Sequence, residues 1–402
     1  MVFLCINLSA GIIGAFNRLI KCDSLNKSND KGGNLLAKIT VIGVGHGGFA
    51  VAADMTLAGH EVTFYVAERY KNRVENLFEK QTLNLTGVGR VGQAKLACVT
   101  SSPEIAFAND IIVPVIPAYS QQAFAKEISV YLRKGHKLLL VPGSTGGALV
   151  TARVLKECNK LDGIIISEMH TLPYACRKTG ECSVDILLEC GVIYFAAFPA
   201  KYNEQMFKIA RELYPKVELV SDVLETAINN GNPISHPVPM VLNAGRVEDD
   251  TVQNYHYRGI TPSVARVIEA LEVERKEIVE TLGYKYIHSK DRIRLMNYAP
   301  KRESLYEAYR DSDVFNSLTG PDTLDNRYLT EDTPYSLRAI VAIAKFLGVK
   351  TPNMEAIITI GSALMGEDYM VDGRTMKTMG LEGLQPDDLK DFLYNGFPEK
   401  QE

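Results

Sequence analysis

The sequence predicts an α/β protein, with a Rossmann-type, doubly wound parallel sheet over residues 38–221 and an all-helical part over residues 222–402. Three observations carry this. Short β-branched runs alternate with helical segments through the first half. A glycine-rich turn follows the first of those runs. After Asp222 the strand signal gives way to repeated helix start and stop signals. Strands alternating with helices require right-handed crossovers, and hence a parallel sheet covered on both faces.

Lys38-Ile-Thr-Val-Ile-Gly43 is a buried-strand signal that ends in glycine, and His46 to Ala58 has helical apolar spacing and stops at Gly59. Glu61–Val66, Ile111–Ile116 and Lys137–Val141 are further strands. Pro142-Gly143 then leads into a helix over Ala148–Cys158, and Gly163–Ser167 and Val192–Ala197 complete the series. In the second half, Thr261-Pro262, Thr333-Pro334 and Thr351-Pro352 each read as an N-cap followed by proline at the first helical position. The first two of these helices close at Gly283 and Gly348.

Residues 1–37 are set apart. Met1 to Phe16 carry no charge, Arg18 and Lys21 follow, and a polar run covers Ser24 to Asn34. A secretory leader places its charges before the apolar stretch, so this order is expected to be a disordered extension or an over-called start.

Composition narrows the function classes. The chain has 402 residues, 46% hydrophobic and 23% charged, and a formal charge of −4. That balance lacks the basic excess of a nucleic-acid or membrane-surface binder, so no nucleic-acid and no membrane partner is expected. Seven cysteines without a C-x-x-C pair make neither a disulfide framework nor a zinc site. The expectation is a cytoplasmic protein acting on small molecules without a metal, and a homodimer is left open.

The strongest chemical motif is Gly43-Val44-Gly45-His46-Gly47-Gly48, a G-x-G-x-x-G between the first strand and the first helix. Gly43 permits the tight turn, Gly45 lets a pyrophosphate approach the backbone, and Gly48 allows close helix–strand packing. The helix start at His46 and Gly47 supplies N–H donors to the diphosphate. The end of the second strand has Val66 where an NAD enzyme carries an acid, with Glu68 and Arg69 beyond it. Arg69 suits a 2′-phosphate or is a solvated charge, so the cofactor is NAD or NADP.

Three other segments concentrate functional side chains. Prolines bracket His236 in Asn232-Pro-Ile-Ser-His-Pro-Val-Pro239. Asn326-Arg-Tyr-Leu-Thr-Glu-Asp-Thr-Pro334 is dense in charge immediately before an apolar helix, where Glu331 and Asp332 also suit plain helix capping. Glu168 to Arg177 follows a strand at its carboxyl end, where ligands of open α/β sheets sit, and Pro142–Gly147 faces the same side.

Taken together, Thr171-Leu-Pro-Tyr-Ala-Cys-Arg177, His236-Pro237, Asn326-Arg-Tyr-Leu-Thr-Glu-Asp332 and Tyr369-Met-Val-Asp-Gly373 resemble the octopine/nopaline (opine) dehydrogenase family, over Lys38 to Leu384. The resemblance implies a Rossmann domain and a helical domain with substrates between them. It implies NAD(P)H-dependent reductive condensation of an α-keto acid with the amino group of an amino acid. His236 matches the family's catalytic histidine, Asp332 its carboxylate partner and Arg327 an arginine that holds a substrate carboxylate. Thr171 and Cys176 match positions in the substrate cleft. Two departures stand out. His170 replaces the acid that arginine-using members carry before this threonine, and Ser144 replaces a longer amide that contacts the keto acid in some members.

Other readings are a glycerol-3-phosphate or hydroxyacid type dehydrogenase and a non-catalytic NAD(P)-binding sensor. The first resembles families that use a lysine early in the second domain, and none occurs here between Val217 and Lys276. The second predicts loss of the histidine or the carboxylate, and both are present.

Overall fold

Strand β1 (Lys38–Ile42) runs through the middle of an eight-stranded sheet because both of its faces are apolar. In the computed structural model, which describes residues 37–249, 251 and 258–398, the strand order is β12-β11-β8-β7-β6-β1-β2-β5. Its members are β1, β2 (Glu61–Tyr65), β5 (Cys98–Thr100), β6 (Ile111–Pro114), β7 (Lys137–Leu140), β8 (Ile165–Met169), β11 (Ile193–Phe198) and β12 (Val217–Leu219). The five strand runs expected before residue 168 are all present, with no end shifted by more than two residues.

The Val192–Ala197 run departs from the parallel expectation. As β11 it pairs antiparallel to β8 and parallel to β12. The reason is local: no crossover helix separates β8 from β11. Instead the chain leaves β8 into a hairpin of β9 (Tyr174–Gly180) and β10 (Ser183–Glu189), then re-enters the sheet at the end it left.

That hairpin belongs to a second sheet, β4-β3-β10-β9, completed by β3 (Thr82–Gly87) and β4 (Gly92–Lys95). Sequence patterning left it undetected, although β10 alternates buried and half-buried residues through Val184, Ile186 and Leu188. The helix His46–Leu57 is packed between the two sheets, which is why Gly48 through Met55 are all buried. A helix that is apolar on all sides needs such a position.

The two faces of the large sheet feed two apolar clusters. Ile39, Val41, Val62, Phe64 and Val113 point toward that helix and the small sheet. Ile42, Tyr65, Ile112, Leu138, Leu140 and Ile166 point the other way, into a cluster continuous with the helical half. The period of two along each strand thus decides which face carries the second half of the chain.

From Val223 onward the described elements are helical. Thr261 caps Pro262–Thr281 as expected, its Oγ1 accepting from the Val264 N–H, and Gly283 and Gly348 follow their helices at φ 74° and 76°. Thr351 does not cap Pro352–Met365. The Glu274 carboxylate takes its place, accepting from the N–H groups of Asn353 and Met354 at 2.7 and 3.0 Å. The Thr333-Pro334 start also differs. Thr333–Leu337 winds as a π-helical turn before the helix Arg338–Phe346, with the Arg338 N–H donating five residues back to the Thr333 carbonyl.

No helix among the described residues is long and apolar enough to cross a membrane. The expectation for residues 1–37 concerns positions that, apart from Ala37, lie outside the described residues.

Candidate active site

The strand order reverses between β1 and its neighbours β2 and β6, and the loops at the carboxyl ends of β1, β6, β7 and β8 meet there. At this switch point the four fingerprint glycines differ in what they permit. A Cβ on Gly43, at φ 136°, would fall 2.2 Å from the Val115 carbonyl oxygen, and one on Gly48 would fall 1.8 Å from that of Gly43. On Gly47 it would touch Leu172 and Val115 at 3.0 Å, so three loops converge on this position. On Gly45 it would meet nothing within 4 Å. The helix behind starts without a side-chain cap. Open backbone at Gly45 against an uncapped helix N-terminus fits the diphosphate of a dinucleotide.

His46 is tied to the small sheet: its Nδ1 accepts from the Lys178 N–H at 2.8 Å. Burial, then Arg177, Lys178 and Arg327, hold this imidazole below its ordinary pKa. Arg69 lies past β2, forked onto Glu127 at 3.0 and 2.9 Å and set against the Tyr70 ring.

Across from the fingerprint, His236 is held rigidly between Pro233 and Pro237, at the junction of the short helices Asn232–Ser235 and Pro237–Leu242. Its Nδ1 lies 2.8 Å from Asp332 Oδ2. Asp332 stands at the head of the π-helical turn and its carboxylate does not cap the helix. The Tyr328 ring stacks on His236 at 3.9 Å between centroids, 22° from parallel, which sets the plane of the imidazole. Burial, with Arg327 and Arg292 in electrostatic reach, depresses the His236 pKa, and burial raises that of Asp332. With the Nδ1 proton directed at Asp332, Nε2 is the basic nitrogen.

Arg327 lies within electrostatic reach of both His46 and His236, which places it between the fingerprint and the histidine–aspartate pair. Its Nε donates to Glu331, and its side chain is 65% exposed, so the guanidinium tip faces the cleft solvent. Glu331 in turn accepts from the Ala118 N–H at 2.8 Å, joining this segment to the loop after β6.

Ser144 and Thr145 sit in the loop after β7 in left-handed conformations, φ 50° and 43°, which side chains rarely adopt. One buried guanidinium holds both. Arg374 Nη1 donates to the carbonyls of Ser144 and Thr145 at 2.6 and 2.8 Å, while Nη2 donates to Gln121 Oε1 at 2.8 Å. Thr171 is half-buried at the carboxyl end of β8. Cys176 does not join these groups. Its thiol is buried in the apolar cluster under β9, and burial pushes its pKa up to about 12.

Sequence reasoning thus brought His236, Asp332, Arg327 and the glycines to one place, and missed Tyr328, Glu331 and Arg374 as its supports. Arg374 follows the Tyr369–Gly373 motif directly, which was its one signal. A separate cavity of about 720 Å³, lined by Tyr119, Val150, Glu157, Tyr335 and Arg374, holds neither His236 nor Asp332. Among the described residues no group of three His, Cys, Asp or Glu side chains is placed to hold a metal ion.

The sequence model of the NAD/NADP octopine/nopaline dehydrogenase alpha-helical domain matches residues 219–365. An opine dehydrogenase of Arthrobacter sp. (strain 1C) is 30% identical over 345 residues, covering 86% of this chain and 95% of the relative. The chain belongs to the opine dehydrogenase family. Opine dehydrogenases are NAD(P)-dependent oxidoreductases, and the match runs through both halves of the chain. Vitopine synthase of Allorhizobium ampelinum is 25% identical over 372 residues, covering 89% of this chain and 99% of the relative. The opine dehydrogenase fold is equally clear. Octopine dehydrogenase solved with NADH and agmatine superimposes at a TM-score of 0.73 and 19% identity, over 91% of this chain and all of that one. NADP⁺-bound yersinopine dehydrogenase does so at 0.65 and 16% identity, over 89% and 98%.

Proposed function

We propose that this chain condenses an α-keto acid with the amino group of an amino acid and reduces the resulting imine, giving an N-(carboxyalkyl) amino acid, an NAD(P)⁺ and a water. The observation that carries the reading is the 2.8 Å His236–Asp332 pair, facing a dinucleotide-type loop across the exposed Arg327.

His236 does the proton work. An amino acid arrives as an ammonium and attacks a carbonyl only as the free amine. A neutral imidazole accepts that proton at Nε2. The imidazolium so formed is stabilised by the Asp332 carboxylate and returns a proton to the carbinolamine hydroxyl, which leaves as water. Burial favours the neutral imidazole as the resting state, so the base is ready at neutral pH. Arg327 grips the keto-acid carboxylate, a task suited to a guanidinium fork. Gly45 and the uncapped start of His46–Leu57 hold the dinucleotide diphosphate, with Arg69 near its adenosine end. The nicotinamide, when bound, supplies the hydride that reduces the imine carbon.

Ser144 and Thr171, in the loops after β7 and β8, line the keto-acid side of the cleft in this reading. The two functional segments are a dinucleotide domain to about residue 221 and a helical domain after it. Cys158, Cys176, Cys182 and Cys190 are free thiols, which suits the reducing cytoplasm.

The test is oxidation of NADH and of NADPH across a matrix of amino acids against pyruvate, glyoxylate and 2-oxoglutarate. Oxidation that requires both an amine and a keto acid is expected. Oxidation with keto acid alone would identify a hydroxyacid dehydrogenase instead.

A further inference from the structure

Two buried donors, one of them within electrostatic reach of His236, have no acceptor. The Tyr194 N–H donates to His170 Nδ1 at 3.0 Å, so this imidazole carries its proton on Nε2. That Nε2 has no hydrogen-bond partner among the described residues, and neither has Nε of Arg292. His170 and Arg292 are 2% and 7% exposed, and Arg292 lies within electrostatic reach of both His170 and His236. Orphaned donors beside a buried cation are disfavoured unless an anionic acceptor completes them.

The surroundings supply no such anion. Arg292 Nη2 donates to the Ser289 hydroxyl at 3.1 Å, and no carboxylate pairs with this guanidinium among the described residues. Glu272, the acid in reach, is already engaged. It takes the fork of Arg275 at 3.0 and 2.7 Å, the Tyr286 hydroxyl at 2.8 Å and the Ser289 hydroxyl at 2.8 Å. The Arg292 guanidinium lies flat on the backbone of Gly231, where a Cβ would fall 1.6 Å from its Cζ. Gly231 is therefore what admits a guanidinium between β8 and the His236 segment.

We infer that Arg292 and His170 form the subsite that takes a carboxylate of the amino donor, behind the histidine that deprotonates its amine. Resting on the reaction proposed above, this names what the donor must carry. Two N–H donors and a fixed positive charge bind a carboxylate and repel a cation, so a basic side chain is excluded from this subsite. The carboxylate is either the α-carboxylate common to all amino acids or a second one on an acidic side chain, and kinetics separate the two.

The experiment compares wild type with Arg292→Gln, Arg292→Lys and His170→Gln. Donors are L-alanine, L-norvaline, L-aspartate, L-glutamate, L-arginine and ethylamine at saturating keto acid. Donor binding is also titrated calorimetrically, apart from turnover. Arg292→Gln should raise the donor KM and Kd about 10- to 100-fold, with the keto-acid KM and NADH binding unchanged. Arg292→Lys and His170→Gln should fall between, which keeps the test alive if Arg292→Gln folds poorly. A rise confined to aspartate and glutamate assigns the side-chain carboxylate. An equal rise for all α-amino acids, with ethylamine inert, assigns the α-carboxylate. Folded Arg292→Gln or His170→Gln protein with wild-type donor KM and Kd would overturn the inference. A wild type that binds donor through Arg292 without turnover would leave the subsite standing and sink the reaction.

Discussion

Asp332 Oδ2 sits 2.8 Å from Nδ1 of His236, 96 residues away in the chain. The contact joins two segments that were each ambiguous alone, a proline-bracketed histidine and an acid before a helix. Since the carboxylate meets the imidazole and leaves the helix start uncapped, it orients the base. His236→Asn should therefore fold and bind NADH yet lose on the order of 10²–10⁴ in kcat. Asp332→Asn should lower kcat with little change in melting temperature. A variant whose only defect is a lower melting temperature would return Asp332 to a structural role.

Arg327 reaches Glu331 with Nε and leaves its tip exposed. Being so exposed, it contributes little to stability, and its removal should be read in binding. Arg327→Ala is expected to raise the keto-acid KM by at least about tenfold, the worth of a charged hydrogen bond. Arg327→Lys should recover only part of this, because an ammonium lacks the fork. Unchanged KM in both variants would move the keto-acid carboxylate elsewhere.

What was legible in the sequence followed from periodicity and from motifs whose chemistry is local. β1, the glycine turn and the helix His46–Leu57 could be read because each residue's job is decided within a dozen positions. The small sheet could not, since β3 pairs with β10 across about a hundred residues and neither strand has a marked apolar run. Arg374 and Arg292 were illegible for the same reason. Their partners, Ser144 and Thr145 for one and Gly231 for the other, are distant in sequence, and an isolated arginine reads as a surface charge. The antiparallel turn of β11 was missed because patterning reports burial on both faces and says nothing about direction.

Arg374 is 3% exposed, and burial lowers its pKa to about 10, so it is still a cation at neutral pH. It holds the carbonyls of Ser144 and Thr145, two residues in unfavourable conformations, from the other half of the chain. Arg374→Gln should destabilise the fold by about 2–4 kcal/mol, because two buried carbonyls lose a charged donor. Thermal melting measures this. A shift within about 0.5 kcal/mol would show that the loop keeps its shape unaided.

His136 offers a pH test far from the site. Its Nε2–H donates to the Phe107 carbonyl and its Nδ1 accepts from the Arg133 N–H, both at 3.1 Å, so both ring nitrogens are used in the neutral form. Burial lowers its pKa from the ordinary 6.5. A depressed histidine binds fewer protons folded than unfolded, so its stabilisation is complete above pH 6.5 and is lost as pH falls below it. The slope is at most about 1.4 kcal/mol per pH unit. His136→Gln should melt lower at pH 7 but lose less between pH 6.5 and 5 than wild type. Parallel melting curves for the two proteins would show that His136 titrates normally when folded.

Gly45 and Gly48 separate cofactor binding from folding within one turn. Space around Gly45 is open and its φ is −81°, so Gly45→Ala meets neither a clash nor backbone strain. A methyl group there still stands where a diphosphate would approach the backbone. Gly48 has no such freedom, because its Cβ would fall 1.8 Å from the Gly43 carbonyl oxygen. Gly45→Ala should keep the wild-type melting temperature and weaken NADH binding by at least about tenfold, or about 1.4 kcal/mol. Gly48→Ala should cost about 1–3 kcal/mol of stability, as overpacking does, and weaken NADH only through that distortion. Fluorescence titration of NADH beside thermal melting separates the two effects. If Gly45→Ala bound NADH as tightly as wild type, the open backbone at Gly45 would not be the diphosphate site.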